Sequence, residues 1–516
     1  MSRNALARAG LIVTLAFLAS RMLGWLRVVV LGNLFGATAE LDAYYAAFRI
    51  PDLVFQLVAA GAIASALIPV LAGLTAQGEH ERAWRVASTV LNLMLGVLLV
   101  LAALLAVFAP TVVPLLVPGF DATTTQLTVE LTRLMLVSPI FLAAGAIVSA
   151  ILNTEDRFGA AALAPVAYNL GIIVCAVLLA PWLGVYAAAL GVVVGSAAHL
   201  LVQLPALRGR FHYSRRVDMS DEAARQSFWL MLPRAIGMGA NQITFLVNTA
   251  LASTLAVGAV VAYNVAFNVL QIPLGVIGLP LGIVLLPTLS RALASGEEAA
   301  FGSTVGSALR LLLWAMLLVS AVGIVTRDQV TELLFGWGFD QAALTATAMT
   351  LGVFLLGLPA HALNIILARA FYSGKDTMTP VSVAIASVGV NVVVSVATVE
   401  RLGLAGLALG IAVGAWFEAV SLTLLLARRH ASIRVAPVVR TGVLSLGGAT
   451  AAGLVAAATL LVLPIPAGAG RVIVLGLQLL LAYGAALLIY LGYSRVMRLP
   501  ELPRTIGLLR SALRSG

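Results

Sequence analysis

Residues Val86–Val117 read VASTVLNLMLGVLLVLAALLAVFAPTVVPLLV, without one Asp, Glu, Lys or Arg. The run exceeds the roughly 20 apolar residues that a helix needs to cross a bilayer. Its apolar residues are continuous rather than alternating, so it is not a strand of a membrane barrel. The rest of the chain repeats the pattern. Of 516 residues, 61% are hydrophobic and 10% charged, and the mean hydropathy is +1.06. Soluble domains run near about 45–50% apolar and about 25% charged, so a soluble enzyme is excluded. The chain reads as an all-α polytopic membrane protein. The 47 glycines suit helices that pack closely in lipid.

Fourteen segments read as transmembrane helices: roughly 10–35, 44–73, 87–110, 127–152, 160–181, 184–206, 227–251, 258–288, 304–326, 344–370, 379–399, 402–427, 441–463 and 471–493. The first apolar run, Leu11–Phe35, is too long for a cleaved signal and lacks an Ala-x-Ala site, so it is expected to stay as the first span. Of the 31 basic residues, 22 fall in the termini and the loops on the same side, and only Arg327, Arg401 and Arg471 in the opposite loops. That asymmetry predicts a multi-pass protein of the cytoplasmic membrane with both termini in the cytoplasm. The net charge of +10 is therefore a matter of topology, not nucleic-acid binding. The basic run 208–216 and the arginines of 495–514 suit anionic lipid headgroups. The lone Cys175 allows no internal disulfide and no metal set.

The chain also repeats itself. Ala62–Ala83 (AIASALIPVLAGLTAQGEHERA) corresponds to Pro280–Ala300 (PLGIVLLPTLSRALASGEEAA), with Pro69 against Pro287 and Gly78-Glu79 against Gly296-Glu297. Ile151–Val166 (ILNTEDRFGAAALAPV) corresponds to Ala370–Val381 (AFYSGKDTMTPV), with Pro165 against Pro380. The repeat is six spans long, an even number, so the halves run parallel. Two six-helix lobes, 1–215 and 216–435, followed by a third region, 436–516, with two extra helices and a basic tail, make a transporter plan with its site expected between the halves.

Particular residues then point to a family. Ser20–Pro69 (SRMLGWLRVVVLGNLFGATAELDAYYAAFRIPDLVFQLVAAGAIASALIP) resembles the first two helices of the MurJ (MviN) family, lipid II flippases of the MOP exporter superfamily. The pieces that carry it are Ser20-Arg21, Leu23-Gly24, Arg27, Phe35-Gly36-Ala37, Asp42-Ala43, Ala47-Phe48, Ile50-Pro51, Gly61-Ala62 and Pro69. LNTEDRF at 152–158, Gln242-Ile243, LLPTLS at 285–290 and FYSGKDTMTP at 371–380 add to it. The resemblance implies alternating-access transfer of undecaprenyl-pyrophosphate-linked peptidoglycan precursor from the inner to the outer leaflet, with a groove beside the last two spans for the polyprenyl tail. Phe55, Gln56 and Ala60 stand where the family carries Arg, Arg and Glu. Phe267 and Asn268 stand where it carries an acid and an Arg, and Val28 where an Asp often follows the first-helix Arg. Departures of this kind keep two alternatives open: a flippase for another lipid-linked oligosaccharide, or a non-transporting scaffold for cell-wall synthesis.

A pyrophosphate headgroup brings about two negative charges into a medium where charge is costly, so fixed cations in a wet cleft are required. Arginine suits the task, since its fork binds oxygens in pairs and stays charged. The candidate substrate-binding residues are Arg21, Arg27, Arg49, Asn268, Arg234 and Arg369. Arg21 and Arg27 lie inside span 1, about 120° apart around a helix. They contact pyrophosphate or pair with Asp42 or Asp52. Arg49 is a cavity cation or the partner of Asp52. Arg234 and Arg369 supply a further cation or mark the cytoplasmic boundary. Asp42, Asp52 and Gln242 are gating or structural polar residues. His361 and Glu418 are candidate coupling groups or satisfied helix contacts. Asn391 and Ser395 would be a weak sodium site, having no carboxylate beside them in that span.

No Walker A, Gly-x-Ser-x-Gly or His-Glu-x-x-His motif is present, so no enzyme activity and no cofactor are expected. The expected partners are the lipid-linked precursor, membrane lipids and cell-wall synthesis enzymes, with no nucleic acid.

Overall fold

An apolar segment in lipid must bond every peptide group internally, and a helix does so. The computed structural model describes residues 3–57, 62–209, 211–462 and 471–515. The side chains of 3–12, 62–66, 230–241, 508–509 and 511–515 lie outside that description. Among the described residues every regular element is helical. In order they are α1 (Arg3–Phe35), α2 (Ala39–Phe55), α3 (Ala62–Ala76), α4 (His80–Leu116), α5 (Ala122–Met135), α6 (Ser138–Thr154), α7 (Phe158–Leu183), α8 (Tyr186–Leu201), α9 (Leu204–Leu207) and α10 (Glu222–Ser253). Next come α11 (Ala259–Pro273), a π-helical turn (Leu274–Gly278), α12 (Leu279–Ala294), α13 (Glu298–Val325), α14 (Arg327–Phe335), α15 (Gln341–Ser373), α16 (Met378–Leu402), α17 (Leu404–Arg429), α18 (Val435–Val462), α19 (Arg471–Val496) and α20 (Glu501–Ser515).

Twelve helices among the described residues are long and apolar enough to cross a membrane. Of the two other expected spans, 44–73 corresponds to α2 and α3, on either side of residues 58–61. The other, 227–251, falls on α10, which is 32 residues long and more polar. The outward surfaces are apolar, as lipid requires. On α4, Val100, Val107 and Leu115 are exposed.

The chain divides into two compact units, Met1–Val261 and Ala262–Gly516. Within the first, α7 and α8 approach until a Cβ at Gly171 would stand 2.6 Å from Gly195 Cα. Small residues permit this contact, and the helices gain dispersion along its length. Residues 211–221 run beside α4. Asn92 Nδ2 donates to Ser214 O (2.9 Å), Ser214 N to Ser88 Oγ (3.0 Å) and Asp218 N to Thr89 Oγ1 (3.2 Å). Arg82 closes this strap with two bonds to Asp221, 2.8 and 3.2 Å. Asp221 is held below its usual range, first by Arg82.

The second unit packs α16 on α17 in the same way: a Cβ at Gly410 would stand 2.2 Å from Ser395 Oγ and 2.8 Å from Asn391 O. Its other core joins α13, α18 and α19, where Tyr490 donates to Trp314 O (2.7 Å) and Trp314 Nε1 to Ser494 Oγ (3.0 Å).

The internal repeat extends to the backbone. Gly184 and Gly403 end α7 and α16 with φ of 52° and 56°. Asp121 and Asp340 cap α5 and α15 through their carboxylates, 2.7 and 2.8 Å from Thr124 N and Ala343 N. Asp156 and Lys375 occupy the left-handed region at 57° and 61°. All three pairs are 219 positions apart. Residues 56–57 are π-helical, as is Leu274–Gly278.

Candidate functional site

Within the first unit, α1, α2, α7 and α10 gather most of the expected polar residues. α2 begins with the Thr38 side chain accepting from Leu41 N. One turn in, Asp42 is buried, and its carboxylate accepts from Gly258 N (2.6 Å) and Val261 N (2.7 Å). Asp42 thus caps the turn that opens α11. Gly258 is needed there: its φ is +85°, and a Cβ would stand 2.5 Å from Ala37 O.

Two turns further, half-buried Arg49 donates from Nε to Thr249 Oγ1 (3.1 Å) and lies over the Phe245 ring, 5.0 Å from its centroid. Asp52 accepts from Gln242 Nε2 (3.2 Å) and has Arg49, then Arg27, as its charged neighbours. On α1, Arg27 lies over the Tyr168 ring of α7 at 5.9 Å and acts electrostatically on Tyr44 and Tyr45. Arg27, Arg49, Asp52 and Gln242 therefore share one neighbourhood, rimmed by Tyr44, Tyr45, Tyr168 and Phe245. Arg21 is outside it, exposed and over Phe17 at 5.3 Å. Among the described residues neither Arg21 nor Arg27 has a carboxylate within the 4.0 Å of a salt bridge. Aromatic faces attract a guanidinium without neutralising it, so such a cation can still take an anion. Arg234 is on α10, and its side chain lies outside the described residues.

The second unit places its residues in two groups. His361 of α15 lines a cavity of about 260 Å³ with Phe267, Leu270, Gln271 and Leu274, beside the π turn. Its Nε2 is buried without a hydrogen bond among the described residues. Asn268 turns its amide onto Asn264 O, 2.8 Å away on its own helix. Arg369 and Glu418 are both charged neighbours of Tyr372, and Arg369 packs against Gly282. Asn391 and Ser395 lie buried against Gly410 in the α16–α17 contact.

Sequence reasoning missed the clasp on the FYSGKDTMTP loop. Asp376 accepts from Thr379 N (3.0 Å) and pairs with Arg429, whose Nη2 donates to Thr379 Oγ1 (2.8 Å). Burial raises the Asp376 carboxyl, but Thr379 and Arg429 outweigh it and hold the pKa at about 2. The signal lay in Asp-Thr-x-Thr, a capping pattern. Tyr168, Phe245 and Thr249 had no sequence signal that sets them apart from core residues. Among the described residues no group of His, Cys, Asp and Glu could hold a metal ion.

A polytopic helical protein with an internal repeat and arginines inside its spans defines a membrane transporter by its plan. Solved structures share the fold. One titled lipid II flippase MurJ in an inward closed conformation matches with a TM-score of 0.79 at 21% identity, covering 94% of this chain and 98% of the other. An inward-facing MATE-family multidrug transporter of the MOP superfamily matches at 0.67 and 16%, covering 81% and 94%. The chain belongs to the lipid II flippase MurJ family, whose profile matches residues 31–479. The lipid II flippase MurJ of Burkholderia cenocepacia is 33% identical over 82% of this chain and 84% of that protein. A probable lipid II flippase MurJ of Rhizobium tropici is 29% identical over 80% and 79%.

Proposed function

We propose that this chain carries lipid II from the inner to the outer leaflet of the cytoplasmic membrane, as a transporter and not an enzyme, with both termini in the cytoplasm. The observation that carries the reading is Arg27: a cation inside a membrane helix, faced by Tyr168 and by no carboxylate at ion-pair distance among the described residues. A permanent charge in lipid is retained for use, and a guanidinium that meets the Tyr168 phenol and no carboxylate keeps its charge for a pyrophosphate. Arg49, Asp52 and Gln242 set the polarity around it. Arg21, exposed on the same helix, first meets the headgroup. Arg234, Arg369 and Asn268 contribute from the cytoplasmic ends and the second repeat. The Asp42 cap is the structural contact that rocking of the helices releases. His361 and Glu418 are the groups through which proton coupling would act, and cell-wall synthesis enzymes are the expected neighbours.

The test is rescue of a bacterium depleted of its own lipid II flippase, read by surface exposure of lipid II. Wild type should rescue. Arg27→Ala, inserted at the same level, should lose on the order of a hundredfold in exposure rate, the value of one or two charge-assisted hydrogen bonds. Rescue by Arg27→Ala at the wild-type rate would overturn the role of Arg27. Failure of well-inserted wild type would move the reading to another lipid-linked oligosaccharide.

A further inference from the structure

Three arginines line one cavity at the end of the second unit that holds the basic tail. The cavity, about 600 Å³, is lined by Arg310 of α13, Arg440 and Thr441 of α18, and Arg498 of the turn before α20, with Leu444 and Met497 among its apolar residues. Arg310 is fixed on two sides. Its Nε donates to Glu501 Oε1 (3.1 Å) and its Nη2 to Ser307 Oγ (3.2 Å). Glu501 is 1% exposed, and Thr441 reaches the same oxygen at 3.5 Å. Nη1 of Arg310 and the guanidiniums of Arg440 and Arg498 have no hydrogen-bond partner among the described residues. One carboxylate, already paired with Arg310, thus stands beside three arginines, of which Arg440 and Arg498 are exposed.

The backbone bends to place the third of them. Arg498 occupies the left-handed region, φ 52°, where a side chain other than Gly or Asn is strained. Leu499 next to it is buried in the α13–α18–α19 core, which anchors the turn. α20 then continues with Arg504 and Arg510 exposed, the pattern of a helix lying on a membrane surface.

We propose that this cavity is a discrete binding site for a phosphate-bearing anion, the headgroup of an anionic phospholipid. The arginines take the phosphate oxygens, and Leu444 and Met497 border the part of the lipid that follows it. Glu501 is a positioning residue that sets the Arg310 fork. The site is separate from the Arg27–Arg49 neighbourhood, and its test does not depend on transport.

The experiment is native mass spectrometry of the full chain in detergent, titrated with phosphatidylglycerol, with phosphatidylcholine as the zwitterionic comparison. Arg440→Gln with Arg498→Asn removes two cations, leaves the Arg310–Glu501 pair in place and puts a residue tolerant of the left-handed region at 498. Arg85→Gln with Arg225→Gln, both exposed in the first unit and outside the basic run 208–216, controls for general loss of charge. The cavity variant should bind phosphatidylglycerol about ten- to thirtyfold more weakly at an unchanged melting temperature, and the control about as wild type. If millimolar inorganic phosphate displaces the lipid and binds alone, the phosphate chemistry stands and the source is a soluble phosphate. Equal affinity of cavity variant and wild type, or an equal loss in the control, overturns the proposal.

Discussion

The same eight-residue pattern opens the second helix of each repeat, and the two copies differ most where charge is concerned. The first reads Asp42-Ala-Tyr-Tyr-Ala-Ala-Phe-Arg49; the second reads Val261-Ala-Tyr-Asn-Val-Ala-Phe-Asn268, 219 positions on. Tyr44 and Tyr263 are buried in both, and Phe48 and Phe267 both meet aromatic neighbours, at 6.4 Å from Tyr44 and 5.6 Å from Phe354. The packing residues are kept, while the acid and the arginine are replaced. Asp52 likewise corresponds to Gln271. The shared positions build helices, and the differing ones set what each helix does. In the first unit the charged positions bind across to other elements: Asp42 to Gly258 and Val261, Arg49 to Thr249. In the second, Asn268 bonds its own backbone at Asn264.

Arg49→Asn makes the first copy like the second, and it should have the largest effect on transport. Asparagine cannot span to Thr249 and Phe245 and brings no charge. Lipid II exposure should fall on the order of a hundredfold, with insertion retained, because Arg49 is only half-buried and the change removes a charge from the span. Arg49→Lys should recover only part, since a point charge does not replace the fork. Wild-type exposure with Arg49→Asn would mean that the copies are equivalent and that the cation is structural.

Asp42 sharpens the comparison through stability. Asp42→Val installs the residue of the second copy and leaves the Gly258 and Val261 amides buried without an acceptor. Each unsatisfied group costs about 1–3 kcal/mol, so the variant should lose about 2–6 kcal/mol for the two amides, read as a lower melting temperature. Asp42→Asn keeps one acceptor and should lose about half as much. A Val variant as stable as wild type would show that solvent reaches those amides.

The architecture was largely open to reading from composition and the apolar runs, because lipid imposes one solution on the backbone. The repeat was legible in Pro69–Pro287, which lie inside α3 and α12, and in Gly78–Gly296, which hold the left-handed turns after those helices. The site was legible only in part. Arg27, Arg49, Asp52 and Gln242 are conspicuous as charge or amide in apolar surroundings, and the first unit brings them together. Their partners were not visible. Tyr168 and Thr249 lie more than a hundred residues away in sequence from Arg27 and Arg49, and a Tyr or Thr in a span has many ordinary uses. Asp42 could be singled out, but its acceptor role depends on a turn some 216 positions later, which no local pattern encodes.

The smallest effect reverses the comparison, because here the second unit carries the ion pair. Asp376 and Arg429 clasp the loop before α16, whereas 219 positions earlier Arg157 stands in the place of Asp376 and makes no side-chain cap to α7. The Asp376 pKa is about 2 in the folded protein, below the roughly 3.9 of a free Asp. A depressed carboxylate stabilises fully above its unfolded value, and that contribution fades as the pH falls toward the folded value. Asp376→Asn should therefore be less stable by about 0.5–1 kcal/mol at pH 7, the range of a partly exposed pair. The difference should stay constant down to about pH 5 and close between about pH 4 and pH 2. Melting curves of both proteins across that range measure it. Arg157→Asp in the first unit supplies the counter-test: the acid alone should add little, and a gain equal to the Asp376 loss would mean that the helix cap and not the arginine carries the clasp.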